Sequence, residues 1–289
     1  MKFAREGRPR ETAAPAHLED APTRAFPAAG TAVDVDRPVQ HSVEVRDVHK
    51  SFGSFEVLRG LSLDFPENAI TTVLGPSGTG KSVLLKHIVG LLRPDHGEIR
   101  VFGRDIWSVS EEERFALRKR FGVLFQDGAL FGSMNLYDNV AFPLRKHTTL
   151  SEAEIRERVM TRLREVGLEK SWTKDPGSVS GGMRKRAGFA RALVMDPDVV
   201  MFDEPDSGLD PVRTSLLNDL ILEMHAEHGG TYILVTHNIP TARKVSDYIA
   251  AVWQGRLVHH GPTEEAFHSS SPFIRQFLAG ESAGPLGMD

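Results

Sequence analysis

The sequence predicts an α/β fold built on parallel strands. Three apolar runs, at residues 70–74, 199–202 and 232–235, have the length and composition of buried strands. A glycine-rich stretch follows the first run and leads into residues 83–89, whose apolar side chains recur at helical spacing. A helix predicted over about 211–227 separates the other two runs, so strands and helices alternate along the chain.

The residues before the glycine-rich stretch predict an antiparallel sheet. Apolar and polar side chains alternate over residues 42–48, as in a half-exposed strand, and a second strand is expected over 61–65. The other predicted elements are a strand over 97–103, a charged helix over 111–120, a strand over 122–125, a helix from Ser151 to about Val166, a helix from about Ser180 to Met195, two strands within 250–258 and a helix over about 272–278. The chain therefore divides into an antiparallel β subdomain, a parallel sheet and an α-helical subdomain.

One folded domain is expected, with extensions at both ends. Residues 1–40 are rich in Ala, Pro, Arg and Glu and lack periodic apolar positions, which predicts a disordered leader. The folded domain is expected over 41–265, with its helical subdomain at about 127–195. Residues 266–289 would form a C-terminal helix and tail.

Bulk composition excludes several kinds of protein. The 289 residues include no cysteine, which excludes disulfide frameworks and thiolate metal sites. A net charge of -4, with 26% charged residues, carries no basic excess that would indicate a nucleic-acid partner. Charged residues, glycine or proline interrupt every apolar run well short of a bilayer span, so we expect another chain to supply any membrane crossing.

The glycine-rich stretch fits the G-x-x-x-x-G-K-[ST] pattern of a phosphate-binding loop. Its residues are Gly75, Pro76, Ser77, Gly78, Thr79, Gly80, Lys81 and Ser82. Glycines let successive backbone N–H groups turn towards a polyphosphate, and the following helix points the positive end of its dipole at the same anion. Lys81 adds a charge for the terminal phosphates, and the Ser82 hydroxyl can ligate Mg²⁺. The stretch therefore predicts a nucleotide site.

Two carboxylates follow the buried strand at 199–202. Asp203 stands where the strand ends and is predicted to hold Mg²⁺, directly or through water. Glu204 is one residue further on, within reach of an attacking water, and is predicted to be the general base. Such a pair is more often a solvated loop, but the apolar strand, Pro205 and the phosphate-binding loop favour a nucleotide hydrolase.

Further motifs, in the expected order over about residues 43–262, resemble the ATP-binding subunits of ABC transporters. Ser180-Gly181-Gly182-Met183 resembles the signature motif of that family, and Ser207-Gly208-Leu209-Asp210 resembles its D-loop. Gln126 resembles the Q-loop glutamine, His237 the switch histidine, and Phe52 the aromatic residue that stacks on adenine. The resemblance implies a P-loop NTPase fold with an ABC-type nucleotide-binding domain.

The resemblance also implies a mechanism shared between two copies. Such subunits bind ATP and Mg²⁺ and close head to tail, so that residues 180–182 of one copy meet the terminal phosphate held by the other. Asp210 of the D-loop belongs to the nucleotide-binding residues under this reading. His237 would hydrogen-bond the γ-phosphate and help to place the water, and Gln126 would touch Mg²⁺ or the water.

Some positions depart from the general family pattern. Asp206 replaces a common threonine, and it is expected either to add negative charge that slows hydrolysis or to face solvent. The helix after the signature motif is crowded with the basic residues Arg184, Lys185, Arg186 and Arg191. A solvated basic face is the first interpretation of this cluster, and tuning of the field at the phosphates is the second.

Three segments, residues 121–136, 180–188 and 203–213, closely resemble the Mkl/MceG ATPases of actinobacterial Mce lipid importers. The Mla-type phospholipid transport ATPases are more distantly similar. The resemblance implies a cytoplasmic homodimer on the inner face of the cell membrane, with YrbE-type permeases and, through them, Mce proteins as partners. Residues 127–144 lack a clean period and would either cap a core or dock a permease, and the tail after Gly280 would reach across to the second subunit.

Three alternatives stay open. A soluble ABC ATPase of DNA repair or translation would usually carry two nucleotide domains or a long coiled coil, and neither is visible in the sequence. An importer ATPase for another substrate fits the same motifs, because the ATPase need never touch the cargo. A regulatory subunit that binds nucleotide without hydrolysis is disfavoured by Glu204, since a degenerate site tends to lose the base.

Overall fold

The computed structural model describes residues 40–126, 128–281 and 284–285. The leader predicted over 1–40 lies outside the described residues except for Gln40, and so does most of the tail after Gly280. Within these ranges strands β1 to β10 are His41–Phe52, Phe55–Pro66, Ile70–Leu74, His96–Val101, Arg104–Asp105, Phe121–Leu124, Val199–Asp203, Thr231–Thr236, Tyr248–Trp253 and Arg256–Pro262. Helices α1 to α9 are Lys81–Ile88, Glu111–Arg118, Leu136–His147, Glu152–Glu165, Gly181–Leu193, Pro211–His228, Ile239–Val245, Thr263–Phe267 and Pro272–Ala279.

The described strands form two sheets. The larger has the order β10-β9-β3-β8-β7-β6, in which β9, β3, β8, β7 and β6 run parallel and β10 pairs antiparallel with β9. Every residue of β3 and β8 is buried, as expected for strands that are covered on both faces. The smaller sheet, β2-β1-β4-β5, is antiparallel throughout. The predicted α/β fold with an antiparallel subdomain is confirmed.

Successive residues of the central strands point into two different cores. In β8, Ile233 and Val235 pack with the antiparallel sheet and α1, whereas Tyr232 and Leu234 pack with helices α3 to α6. This alternation follows from the period-two geometry of a strand. One sheet therefore carries both the antiparallel subdomain and the helical subdomain, on opposite faces.

Helix α3, at Leu136–His147, corrects the expectation that residues 127–144 lack regular structure. The Asn135 side chain caps this helix by accepting a hydrogen bond from the backbone N–H of Asp138, at 2.8 Å. Pro143 lies inside the helix, where proline is usually excluded, and it hid the helical pattern in the sequence. Asp127 itself lies outside the described residues.

The loop before α3 is held by one buried amide. The Asn139 side chain, fully buried, accepts from the N–H of Phe131 at 2.7 Å and donates to the carbonyl of Phe131 at 3.1 Å. It also donates to the carbonyls of Met134 and Asn135, at 2.9 and 3.0 Å. A loop anchored in this way presents the side chain of Phe131, 43% exposed, in a defined position.

The C-terminal helices pack on the large sheet. Helix α8, at Thr263–Phe267, spans the boundary predicted at residue 265. In α9, Phe277 packs against a small core that includes Leu74 and Ile249, and the ring of Phe273 lies 5.9 Å from that of Trp253. The last described helix is therefore attached to the same sheet as the phosphate-binding loop.

Candidate nucleotide-binding and hydrolysis site

The predicted site residues meet at one edge of the large sheet. Strands β3, β8, β7 and β6 are parallel, and their carboxyl ends are in register: Leu74 pairs with Thr236, Asp203 with Val235, and Leu124 with Phe202. The phosphate-binding loop, Asp203 and Glu204, His237 and Gln126 each follow one of these ends. The carboxyl edge of an open parallel sheet is where such folds bind ligands, so residues that are distant in the sequence share one site.

The phosphate-binding loop has the backbone that its glycines predict. Gly78 and Gly80 adopt φ of 82° and 94°, in the left-handed region that favours glycine. The Thr79 hydroxyl donates to the carbonyl of Pro76 at 2.9 Å and closes the turn. Ser77 and Gly78 are exposed at the tip, and α1 begins at Lys81, directly after the loop. The positive end of the helix and the free N–H groups of the loop thus face an incoming anion.

Lys81 is held inside this loop. The ammonium group, 5% exposed, donates to the carbonyl of Gly75 at 2.7 Å and to that of Pro76 at 2.8 Å. Burial lowers its pKa, and the carboxylates of Glu204 and Asp203 act in the opposite direction. The ammonium group of Lys81 therefore lies within the electrostatic influence of the Glu204 and Asp203 carboxylates.

Ser82 and Asp203 lie in direct contact. The Ser82 hydroxyl donates to Asp203 Oδ1 at 2.9 Å. Burial raises the pKa of the Asp203 carboxyl, the hydrogen bond from Ser82 lowers it, and the neighbouring carboxylate of Glu204 raises it again. A hydroxyl oxygen and a carboxylate oxygen are hard ligands of the kind that Mg²⁺ prefers, so these two residues fit the ion that they were predicted to hold.

Glu204 and His237 are brought together at the ends of β7 and β8. Glu204 adopts φ of 48°, an unusual value for a non-glycine residue, and its N–H donates to the carbonyl of Val235 at 2.8 Å. Its Oε1 lies 3.5 Å from His237 Nδ1. Left-handed backbone outside glycine is often found at functional sites, and here it directs the carboxylate along the sheet edge.

Asp206 does not face solvent, which corrects one of the two expectations for it. It is 5% exposed, and its oxygens lie 2.9 and 3.0 Å from the hydroxyl of Thr236, which donates to them. The same Thr236 oxygen accepts from the N–H of Asn238 at 3.0 Å. The segment after Glu204 is therefore tied to the turn that carries His237. The substitution of an acid for the usual threonine was the only signal of this link in the sequence.

Phe52 and Gln126 lie at the margins of the site. Phe52 is 51% exposed at the end of β1, with Lys50 Nζ at 5.7 Å from the ring centre. Gln126 follows β6 and is exposed. Within the described part of the chain, no hydrogen bond joins Gln126 to Ser82 or Asp203.

The signature residues form a different surface. Ser180 is exposed and caps α5 by accepting from the N–H of Met183 at 3.3 Å. A Cβ on Gly182 would lie 3.9 Å from the side chains of Leu209 and Arg213, so residues 180–182 adjoin the D-loop. Asp210 caps α6 by accepting from the N–H of Arg213 at 3.0 Å, which lowers the pKa of its carboxyl. None of these contacts involves the phosphate-binding loop of the same chain.

The basic residues of α5 are not a solvated face, which corrects the first interpretation. Arg184 donates to the carbonyl of Val179 and Arg186 to that of Val166, each at 2.9 Å. The remaining contacts are from Arg191 to the carbonyls of Gly128 and Ala129, each at 2.8 Å, and from Lys185 to the carbonyl and hydroxyl of Ser207. These cations satisfy backbone carbonyls and attach α5 to its neighbours.

Comparison with known proteins decides the family. The family described as ABC transporter matches residues 58–207, which include the phosphate-binding loop, the signature residues and Glu204. The chain belongs to the ABC transporter family. The ABC ATPase described here binds ATP and hydrolyses it.

Relatives of this ABC ATPase cover nearly all of the described chain. It is 53% identical over 251 residues to the "probable ribonucleotide transport ATP-binding protein mkl" of Mycobacterium leprae, covering 87% of this chain and 72% of that protein. It is 39% identical over 252 residues to the "intermembrane phospholipid transport system ATP-binding protein MlaF" of Escherichia coli K12, covering 87% and 94%. The predicted resemblance to Mkl, and more distantly to Mla-type ATPases, is confirmed.

A solved structure supports the same assignment. A dimeric ATP-binding cassette in a post-hydrolysis state with ADP and Pi matches with a TM-score of 0.70 at 28% identity, over 76% of this chain and 98% of that one. Among the described residues of the ABC ATPase, no helix is both long and apolar enough to cross a membrane.

We expect Asp206 to act as a positioning residue for His237. Asp206→Ala and Thr236→Val should each lower kcat for ATP about tenfold with little change in KM, because each removes the same buried hydrogen bond. The double variant should lose no more than Thr236→Val alone, which also removes the acceptor of the Asn238 N–H. Asp206→Asn should retain most of the activity because it keeps an acceptor. Steady-state kinetics of all four variants measure this coupling.

A buried hydroxyl pair at the amino end of β8, away from the site, provides the control. The hydroxyls of Ser42 and Thr231 lie 2.6 Å apart. Ser42→Ala should lower the melting temperature while kcat stays unchanged. If Asp206→Ala loses stability to a similar extent but keeps its kcat, Asp206 is structural only and the positioning role is wrong.

Proposed function

We propose that this ABC ATPase is a homodimeric subunit that powers lipid transport through partner permeases on the inner face of the cell membrane. The lipid assignment is carried by its 39% identity, over 94% of the relative's length, to a protein named for phospholipid transport. Residues of the sheet edge and the signature surface supply the chemistry, and no nucleic acid is required as a partner.

The roles of the site residues follow from their positions. The loop N–H groups and Lys81 bind the phosphates, and the exposed ring of Phe52 stacks on the adenine. Ser82, Asp203 and Gln126 would hold Mg²⁺, which would neutralise charge on the phosphates. Glu204 accepts the proton of the attacking water, and His237, at 3.5 Å from it, orients the γ-phosphate.

The separation of the two surfaces supports the proposed dimer. Residues 180–182 contact the D-loop of their own chain and leave the exposed Ser180 beside the positive end of α5. A second copy, placed head to tail, would bring this surface to the phosphates bound by the first. The cassette solved with ADP and Pi is named as a dimer, which supports this arrangement.

A groove beside the carboxyl end of β6 supports a membrane partner. Its volume is about 400 Å³, and its lining includes Phe115, Phe125, Phe131, Phe142, Pro143 and His147, together with the basic residues Arg118, Lys119 and Arg191. Phe115, Phe131 and Phe142 are 49%, 43% and 37% exposed, and exposed apolar side chains of this kind mark protein interfaces. The proposed partner at this groove is a short cytoplasmic helix of a YrbE-type permease, which would itself carry Mce proteins.

Ribonucleotide transport is the second candidate. It is favoured by the mkl relative, which is 53% identical and is named for ribonucleotide transport. The nucleotide site of the ATPase does not distinguish the two cargoes, because the cargo would pass through other chains. The choice is therefore a matter for transport measurements.

Glu204→Gln should bind ATP, accumulate as a closed dimer and lose nearly all hydrolysis, because the amide cannot accept a proton from water. Lys81→Ala should lose ATP binding itself, which distinguishes a binding defect from a chemical one. Nucleotide titration, gel filtration with ATP and phosphate release measure the three properties. Unchanged turnover in Glu204→Gln would remove Glu204 from the role of base.

Phe131→Ser combined with Phe142→Ser should abolish co-purification of multi-span permeases from native membranes, because it removes the apolar groove wall. ATP binding should be unchanged. Phe55→Ser, at the exposed first residue of β2, is the matched control and should retain the permeases. Recovery of ribosomes or DNA with the wild-type protein would contradict the transporter assignment.

Deletion of the gene should abolish uptake of labelled lipid, and wild-type protein but not Glu204→Gln should restore it, because transport depends on hydrolysis. Fatty acid, sterol and phospholipid are tested separately. Uptake of labelled ribonucleotide in the same cells should be unaffected. The reverse pattern would establish ribonucleotide transport and discard the lipid assignment.

A further inference from the structure

Three metal-ligating side chains meet on the antiparallel sheet, outside the nucleotide site. His49 Nε2 lies 3.2 Å from Asp47 Oδ1, and His96 Nδ1 lies 3.3 Å from Asp47 Oδ2. The three ligand atoms, one from each residue, all lie within 4.8 Å of one another. None of these residues has a role in the proposed hydrolysis.

A bulge in β1 creates the cluster. Asp47 adopts φ of 46°, and the pairing of β1 shifts register around it with both neighbouring strands. His49 pairs directly with His96 of β4, and their rings meet edge to face at 5.6 Å. Bulges re-aim side chains at functional positions, and this one turns Asp47 towards both imidazoles.

Two glycines keep the space between the ligands open. A Cβ on Gly60 would lie 3.0 Å from Asp47 Oδ1 and 3.3 Å from His49 Nε2, so any other residue would crowd the space between these ligands. A Cβ on Gly97 would lie 2.2 Å from the carbonyl oxygen of Asp47, so the bulge itself requires glycine there. Both glycines have positive φ, at 74° and 88°.

The Glu56 carboxylate contacts the second ring nitrogen of His49, where it can orient the imidazole. Its Oε1 lies 3.2 Å from His49 Nδ1. When His49 donates from Nδ1 to Glu56, its Nε2 presents a lone pair to Asp47, and two electron-rich atoms then face each other across 3.2 Å. A cation between them relieves that repulsion. Arg59 Nε lies 3.7 Å from Glu56 Oε2, on the Glu56 side of the cluster.

We propose that Asp47, His49 and His96 bind a divalent first-row cation of the zinc class, with Glu56 orienting His49. Tetrahedral coordination at bond lengths of about 2.1 Å places ligand atoms about 3.4 Å apart. This is close to the separation of His49 Nε2 from Asp47 Oδ1, at 3.2 Å, and of His96 Nδ1 from the other oxygen of Asp47, at 3.3 Å. Three protein ligands leave one position for water. The site links β1 to β4 and lies apart from the phosphate-binding loop.

A second cluster has similar ligands but already holds a cation. Glu165, Glu227 and His228 also lie within 4.8 Å of one another. Arg162 donates to Glu165 at 2.9 Å and to His228 at 2.6 Å, so a guanidinium already contacts two of the three residues. This cluster carries no proposal and provides a matched control.

Zinc binding by the full chain tests the site. Untagged protein, stripped of metal with a chelator and free of nucleotide, is dialysed against Zn²⁺, and bound metal is counted per chain. His96→Gln, at an exposed position, should weaken Zn²⁺ binding at least tenfold while ATP hydrolysis stays at the wild-type rate. Glu56→Gln should weaken it about tenfold, the usual effect of removing an orienting carboxylate. His228→Gln should bind as wild type.

A second variant fills the space between the ligands while it keeps every ligand residue. Gly60→Ala should lose Zn²⁺ binding, and Zn²⁺ should raise the melting temperature of the wild type but not of His96→Gln. Equal Zn²⁺ binding by wild type and His96→Gln would overturn the proposal, as would a wild-type chain that binds no Zn²⁺. Loss in His228→Gln alone would place the ion in the other cluster and contradict the assignment.

Discussion

The shared carboxyl edge of the parallel strands is the constraint on which the rest of this structure depends. Backbone hydrogen bonds fix β3, β8, β7 and β6 in register. The phosphate-binding loop or a predicted site residue lies within two residues of the end of each strand. Because both faces of these strands are buried, their ends cannot slide without exposing a core. The positions of Asp203, Glu204 and His237 therefore follow from sheet geometry, and the loop after β3 places Lys81 through the carbonyls of Gly75 and Pro76.

A second layer of contacts connects the site to the signature surface. Asp206 accepts from Thr236, which adjoins His237, while Ser207 accepts from Lys185 of α5. Both anchors lie in the short segment between Glu204 and Asp210, and turn hydrogen bonds from Ser207 and Leu209 keep that segment compact. Static contacts thus link α5, through the segment after Glu204, to the turn that carries His237.

Prediction from sequence succeeded where a local pattern determines the structure. The continuous apolar runs predicted the large sheet, and the capping box of Ser151 and Glu154 predicted α4 within one residue. It failed at α3, where Pro143 obscured the helix, and at the basic residues of α5, which bond to carbonyls. Those contacts join residues far apart along the chain, so no periodicity reveals them.

The sequence by itself determined the family, the phosphate-binding loop and the order of the catalytic motifs, because each is a run of adjacent residues with its own chemistry. Only the tertiary structure decided that Asp206 is buried against Thr236. It alone placed Asp47, His49 and His96 together, with Gly60 leaving room between them. Strand pairing and burial bring together residues of separate segments, and a one-dimensional pattern carries no distance between them.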